Sequence, residues 1–209
     1  MKKFLIIVAS LLVMIGINSC QCSNKNVEPV LNDAVETVDS LYVEHVTALD
    51  KQAMFTNHGA NYKWFETGVV LNNWLDTEND GSIEMVVNIF QVIEDYGDNS
   101  FDTFVFKLQH VDGETFEDSV HGFWVEDMPL NDEEIKVSFA KAFELVNQVN
   151  LPKPHTRQVV LRKQVGPLDA NAQWIFGNQT SQIYVDAVTG EVRDYNPAFG
   201  QDFGYAFTW

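Results

Sequence analysis

QIYVDAVTGEV, residues 182–192, alternates apolar and polar side chains as far as Asp186, breaks for four residues, and resumes at Glu191. The pattern predicts a strand, a tight turn over Ala187–Gly190 and a returning strand. Gly190 can take the positive φ that a bulged connection demands. The carboxylate of Asp186 can accept hydrogen bonds from the turn's free N–H groups. No histidine or second acid stands nearby in sequence to make Asp186 a base. Asp186, Thr189 and Gly190 are therefore expected to shape the backbone, and an antiparallel sheet becomes the frame of the C-terminal half.

Strands are expected upstream at Gln158–Val165 and Gln173–Phe176, with Gln182–Ala187 and Glu191–Asp194 beyond, and a last one over Gly204–Trp209. Before them LNDEEIKVSFAKAFELVNQV (130–149) reads as a helix. Asn131 serves as its N-cap with Glu134 three places on, and Leu130 and Ile135 stand where a hydrophobic staple would close. Ile135, Phe139, Ala142, Phe143 and Val146 share one face. Pro152 and Pro154 end the element.

The N-terminal half repeats the order. From Pro29, a residue suited to a first helical turn, the apolar residues Leu31, Ala34, Val35, Val38, Leu41, Tyr42, Val46 and Leu49 recur at intervals of three and four. His45 is read as lying on the edge of that stripe. The period turns strand-like from Tyr62, with VVLNNWL (69–75) as one strand and a turn at Asn79-Asp80-Gly81. IEMVVNIFQVI (83–93) is apolar on both parities, as a strand covered on both faces would be. FDTFVFKLQH (101–110) alternates, and Asp112-Gly113 is a two-residue hairpin signal. TFEDSVHGFWV (115–125) then returns antiparallel, with Val111 facing Glu114, His110 facing Thr115 and His121 near Phe104. The fold class is α+β, with two successive helix-plus-antiparallel-sheet units over 29–128 and 129–209.

The capped helix, the Trp174-Ile175-Phe176 strand and YVDAVTGEV (184–192) together resemble the PepSY family over roughly the last 80 residues. Proteins of that family are thought to inhibit or regulate partners, and lipoproteins of this kind resemble the β-lactamase-inhibitor-protein fold of tandem helix-plus-sheet units. The resemblance carries no catalytic residues. The N-terminal half lacks the YVD…TGE turn.

The chain opens MKKFLIIVASLLVMIGINSC. Lys2 and Lys3 precede an apolar run over Phe4–Ile17, too short to span a bilayer as a helix and fitting a secretory signal over 1–19. Ile17-Asn18-Ser19-Cys20 resembles a bacterial lipobox, with Cys20 the lipidated residue. The polar stretch 20–28 follows as a tether. Gln21 after the cysteine implies transfer to an outer membrane by the sorting rule it resembles. An acylated Cys20 leaves Cys22 without a partner in the chain, so burial alone must hold the fold.

Removing the signal takes two of the 13 basic residues and none of the 30 acids, so the charge moves from −17 to 11 − 30 = −19. Such a surface repels phosphate backbones, which excludes nucleic acid as a partner. DTENDGSIE (76–84) imitates the start of a calcium-binding EF-hand loop through Asp76, Glu78 and Asp80, but position 12 is Val87 where a bidentate Glu is required. A hairpin turn accounts for it better than weak calcium capture. The histidines have no ligand spacing: in the hairpin register His110 and His121 lie far apart, and His58 and His155 fall in loop-like stretches. Neither a metal site nor a cofactor is expected. No nucleophile elbow or phosphate-binding glycine loop is present. At the C-terminus Phe203, Tyr205, Phe207 and Trp209 alternate, and Tyr205, Phe207 and Trp209 form a candidate partner surface if left exposed.

These readings favour a non-catalytic envelope lipoprotein that binds a protein or peptide and touches the membrane only through its lipid. A carboxylate-based hydrolase and a weakly calcium-binding structural lipoprotein are the alternatives.

Overall fold

Helix α1 (Tyr42–His58) leads into β1 (Tyr62–Leu71), β2 (Ile83–Asp95), β3 (Phe101–Val111), β4 (Glu114–His121) and the two-residue β5 (Asp127–Met128). Helix α2 (Phe139–Gln148) then leads into β6 (Gln158–Gln164), β7 (Gln173–Asn178), β8 (Ser181–Asp186) and β9 (Val192–Asp194). The computed structural model describes residues 41–165, 171–178 and 181–194. All of these fall in the unit Glu36–Trp209, one of two into which the chain divides. The signal at 1–19, Cys20, the 20–28 tether, the Pro29 helix start and the 204–209 strand with Tyr205, Phe207 and Trp209 lie outside the described residues.

The strands form one antiparallel sheet in the order β4-β3-β2-β1-β6-β7-β8-β9, with β5 beside β6. The class is α+β. Along the chain α1 precedes β1–β4 and α2 precedes β6–β9, and within the one sheet β1 pairs with β6, Thr67 opposite Leu161 and Val69 opposite Val159. Both helices cover the same face. Val69, Phe90, Leu161, Trp174, Phe176 and Val185 point to that face by strand parity and pack with Val43, Val46 and Met54 of α1 and with Phe139, Ala142 and Val146 of α2. Burying each such side chain stabilises by roughly 1.5–3 kcal/mol. Trp174 also satisfies its one donor, giving Nε1–H to the carbonyl of Val137 at 2.9 Å. On the other face Phe65, Val87, Ile89 and Val105 form a smaller apolar group under Trp124.

β2 is buried on both faces through its middle, as its doubly apolar pattern predicts. The β3–β4 hairpin takes the expected register, including His110 opposite Thr115 and Phe104 opposite His121, but β4 ends at His121, short of the expected Val125, and beyond it the Trp124 N–H donates to Gln91 Oε1. The hairpin turn places Asp112 at φ 53° and Gly113 at φ 80°, the two positive values of a type I′ connection whose twist matches the strands.

Four further expectations are corrected. The second helix begins at Phe139, not after Asn131. Asn131 Oδ1 holds only an isolated turn by accepting from Glu133 N–H at 3.1 Å. The N–H groups of Lys136 and Val137 both donate to the carbonyl of Ala187, at 2.8 and 3.0 Å, which removes them from any helix. The N-cap is Ser138, whose Oγ accepts from Lys141 N–H at 3.2 Å. On α1 the buried face is Val43, Val46, Thr47, Asp50 and Met54; Leu41, Leu49 and His45 are exposed. The expected stripe ran one residue off because two of the buried positions are polar. β1 runs over Tyr62–Leu71 and stops before the Asn72–Leu75 segment assigned to it. His58 closes α1 instead of sitting in a loop, with its ring 5.0 Å from that of Phe106.

Candidate functional site: an exposed sheet edge

The turn residues singled out in the sequence sit at the end of β8. Asp186 Oδ1 accepts from the N–H groups of Val188 and Thr189, both at 2.8 Å. Its Oδ2 accepts from Asn171 Nδ2 at 2.9 Å and from Gln173 Nε2 at 3.4 Å. Burial raises the pKa of this carboxyl, but those four donors outweigh it and hold the group below the usual aspartate range. Thr189 Oγ1 accepts from Glu191 N–H, and Gly190 takes φ 76°. The carboxylate is committed to its own loop.

The EF-hand-like acids are scattered. Asp76 pairs with Nδ1 of His155, whose ring stacks on Trp74 with centroids 4.5 Å apart. Asp80 Oδ1 accepts from Ser82 N–H at 3.0 Å within the turn. No group of three metal-ligating side chains converges among the described residues, the 76–84 loop included.

Two buried polar constellations escaped the sequence reading. Under α1, His110 Nε2 lies 2.9 and 3.0 Å from the two oxygens of Asp50, and its Nδ1 lies 3.0 Å from Thr115 Oγ1. Asn88 Nδ2 donates to Asp50 Oδ2 at 2.7 Å, while Asn88 Oδ1 accepts from Thr47 at 3.1 Å and from Thr67. Acid, imidazole and hydroxyl stand in the order of a catalytic relay. Yet every member is satisfied by its neighbours, as a structural network requires, and the nearby cavity is lined by Thr47 and Thr67 and not by Thr115. Parity was the available signal: Asn88 and His110 stand on the same strand face as Phe90 and Leu108, so polar groups there must find each other.

On the opposite face Glu66 is wholly buried, and neither of its carboxyl oxygens has a hydrogen-bond partner among the described residues. Arg162 faces it across the β1–β6 pair but forms its ion pair with Asp127, Nε to Oδ1 at 2.7 Å. One guanidinium cannot neutralise two buried acids. Burial, together with the nearby Asp127 charge, pushes the Glu66 carboxyl up to about 8. Burial likewise raises Asp127 to about 6 despite Arg162. Glu66 is thus a neutral carboxylic acid in the folded protein at pH 7.

A cavity of about 280 Å³ opens between α1, the 130s loop and the sheet, with Trp64, Trp174 and Ile135 in its wall. The Lys51 ammonium lies 3.3 Å from the centroid of the Trp64 ring and pairs with Asp132. This is a cation–π contact inside an ion pair. Glu44 Oε1 accepts from Phe139 N–H at 2.6 Å, placing a carboxylate at the positive end of α2. Of the cavity's polar groups Lys51 and Asp132 serve each other, Thr47 and Thr67 bond to Asn88, and Glu44 Oε2 is buried without a hydrogen-bond partner among the described residues.

β4 has the opposite character. Every one of its residues is exposed, and among the described residues it has a strand on one side only. An antiparallel hairpin closed by a hydrogen-bonded pair at Val111 and Glu114 leaves the next residue's backbone groups pointing outward, then every second one. Thr115, Glu117, Ser119 and His121 therefore present N–H and C=O groups to solvent. Phe116 and Val120, 54% and 58% exposed, stand on the helix-free face of this strand. Phe123 and Val125 follow it, also exposed. The loop carrying them is fixed by Trp124, whose N–H donates to Gln91 Oε1 at 2.8 Å and whose Nε1 reaches Asp127 Oδ2 at 3.3 Å. Natural edge strands are usually shielded by a proline, a lysine or a covering element. β4 has neither proline nor lysine and no element covers it among the described residues; the charges it carries are the acids Glu114, Glu117 and Asp118.

Compared with protein-family models, curated proteins and solved structures, this chain matches none.

Proposed function

We propose that this chain is an exported envelope lipoprotein that binds a protein or peptide as a non-catalytic, inhibitor-like regulatory module. Cys20 carries the lipid and attaches it to the outer membrane; residues 20–28 are the tether. Its body is built from two PepSY-like helix-plus-antiparallel-sheet units of the β-lactamase-inhibitor-protein kind, joined at β1 and β6.

The observation that carries the reading is β4: an exposed strand edge among the described residues, with Phe116 and Val120 on its surface, next to a body most of whose conspicuous polar residues serve turns and buried pairs. A sheet edge supplies main-chain affinity, and alternate side chains supply selectivity. A second support is the resemblance of the helix, the Trp174 strand and the 184–192 turn to a regulatory family.

Photo-crosslinking amino acids placed at Phe116 and at Val120 test the binding in the native envelope, with exposed Phe55 on α1 as the control position. One reproducible adduct from the β4 positions, reformed with the purified partner, is expected. Equal adducts from all three positions, or none, would reject the reading. Mass spectrometry of the mature N-terminus should find Cys20 carrying diacylglycerol; an unmodified cysteine would remove the anchor from it.

A further inference from the structure

We infer that the partner is a cationic extended segment, which joins the sheet as an additional strand along β4; this rests on the binding reading above. Three observations converge on that chemistry. First, the outward backbone groups at Thr115, Glu117, Ser119 and His121 form a ladder that only an extended chain can complete. Second, the strand and its flanks are uniformly negative. From Asp112 to Glu126 the sequence holds five acids (Asp112, Glu114, Glu117, Asp118 and Glu126) and no lysine or arginine. Third, Phe116 and Val120 are four residues apart on one side of the strand, with Asp118 between them. Apolar residues of the incoming segment meet Phe116 and Val120 on one face, and basic ones meet Glu117 on the other, while Asp118, opposite Lys107 of β3, lies between the two apolar residues. Cross-strand pairs of these kinds each contribute roughly 0.2–1 kcal/mol.

Charge also separates this occupant from the obvious competitor. A second copy of the chain could pair β4 with β4, but both molecules carry a net charge of −17. Antiparallel self-pairing centred on Glu117 would set that residue opposite its own copy and the two Asp118 on a diagonal, and like charges so close destabilise a sheet. A basic strand gains from the field that a second copy must overcome.

The test uses the full chain and three labelled nine-residue peptides: alternating Lys and Val, alternating Glu and Val, and the Lys/Val peptide N-methylated at every second residue. Fluorescence anisotropy at 50 mM and 500 mM salt measures binding, and amide chemical shifts locate it. The Lys/Val peptide should bind, weaken at least tenfold at high salt, and shift the amides of Thr115, Glu117, Ser119 and His121. The Glu/Val and N-methylated peptides should not bind. Ser119→Pro deletes one outward donor without touching the internal ladder, and should lower affinity tenfold or more. Should that variant not fold, Glu117→Lys with Asp118→Lys makes the same demand through charge. Equal binding of the N-methylated peptide overturns strand addition. Equal binding of the Glu/Val peptide overturns the cationic chemistry, and so does a concentration-dependent dimer that the Lys/Val peptide leaves intact. If the peptides fail while crosslinks at Phe116 and Val120 capture a partner, the partner chemistry is wrong and the binding reading stands. If both fail, the binding reading falls with it.

Discussion

Asp186 and Glu66 are both carboxylic acids on the helix-free side of the sheet, and their surroundings push them in opposite directions. Four donors surround the first, so its charged form is favoured in the folded protein. Its contribution to stability is present above an unfolded aspartate's ordinary value and is lost as pH falls through the lower folded value. Asp186→Ala should cost about 1–3 kcal/mol at pH 7, because amide donors lose their acceptor; urea denaturation measures it. A loss below 0.5 kcal/mol would mean the turn holds without the carboxylate. Glu66 has the reverse sign. Raised from 4.5 to about 8, it keeps a proton in the folded state that the unfolded chain releases. Its favourable contribution is complete below pH 4.5 and is lost as pH climbs to 8. Asp127 adds the same trend up to about 6. Wild type should therefore lose on the order of a few kcal/mol between pH 5 and pH 9, and Glu66→Gln, which cannot ionise, should lose much less. Parallel pH curves for the two proteins would contradict this.

At the scale of elements, the two candidate caps of α2 make a direct comparison. Ser138 holds the observed helix, whereas Asn131 holds one exposed turn. Ser138→Ala should cost about 1 kcal/mol, and Asn131→Ala should stay within about 0.5 kcal/mol as surface changes generally do. Equal losses would place the helix start back at Asn131. The cap signature at 131–134 is chemically sound; it was overridden because a distant carbonyl, that of Ala187, takes the N–H groups of Lys136 and Val137. The β3–β4 hairpin had no such competitor. Two turn residues with positive φ determine its register locally, so reading the sequence alone placed His110 opposite Thr115. What local reading missed is that His110 continues inward to Asp50 of α1.

For the whole molecule, the pairing of β1 with β6 and a core shared by both helices tie residues 42–194 into a single sheet-based body. Thermal unfolding should then be one transition, coincident in far-ultraviolet circular dichroism and tryptophan fluorescence. Trp64 reports the first run of strands and Trp174 the second. Two separated transitions would show that the runs melt independently. High salt should raise the melting temperature, since a charge of −17 repels itself in the compact state.

The amino-acid sequence determined, without help, whatever depends on neighbours along the chain: the α+β class, nearly every strand, the type I′ hairpin and the Asp186 turn. These follow from side-chain alternation and from backbone angles that only certain residues tolerate. Tertiary structure alone decided which polar residues are buried and which strand is left bare. Glu66 meets Asp127 and Arg162, and Asp50 meets His110, across distances in sequence that no local period encodes. β4 is an edge because, among the described residues, β3 is its one partner and the sheet grows from β1 toward β6. Burial and strand order are properties of the assembled sheet, and it is their combination that leaves an acidic strand, paired on one side only among the described residues, facing solvent.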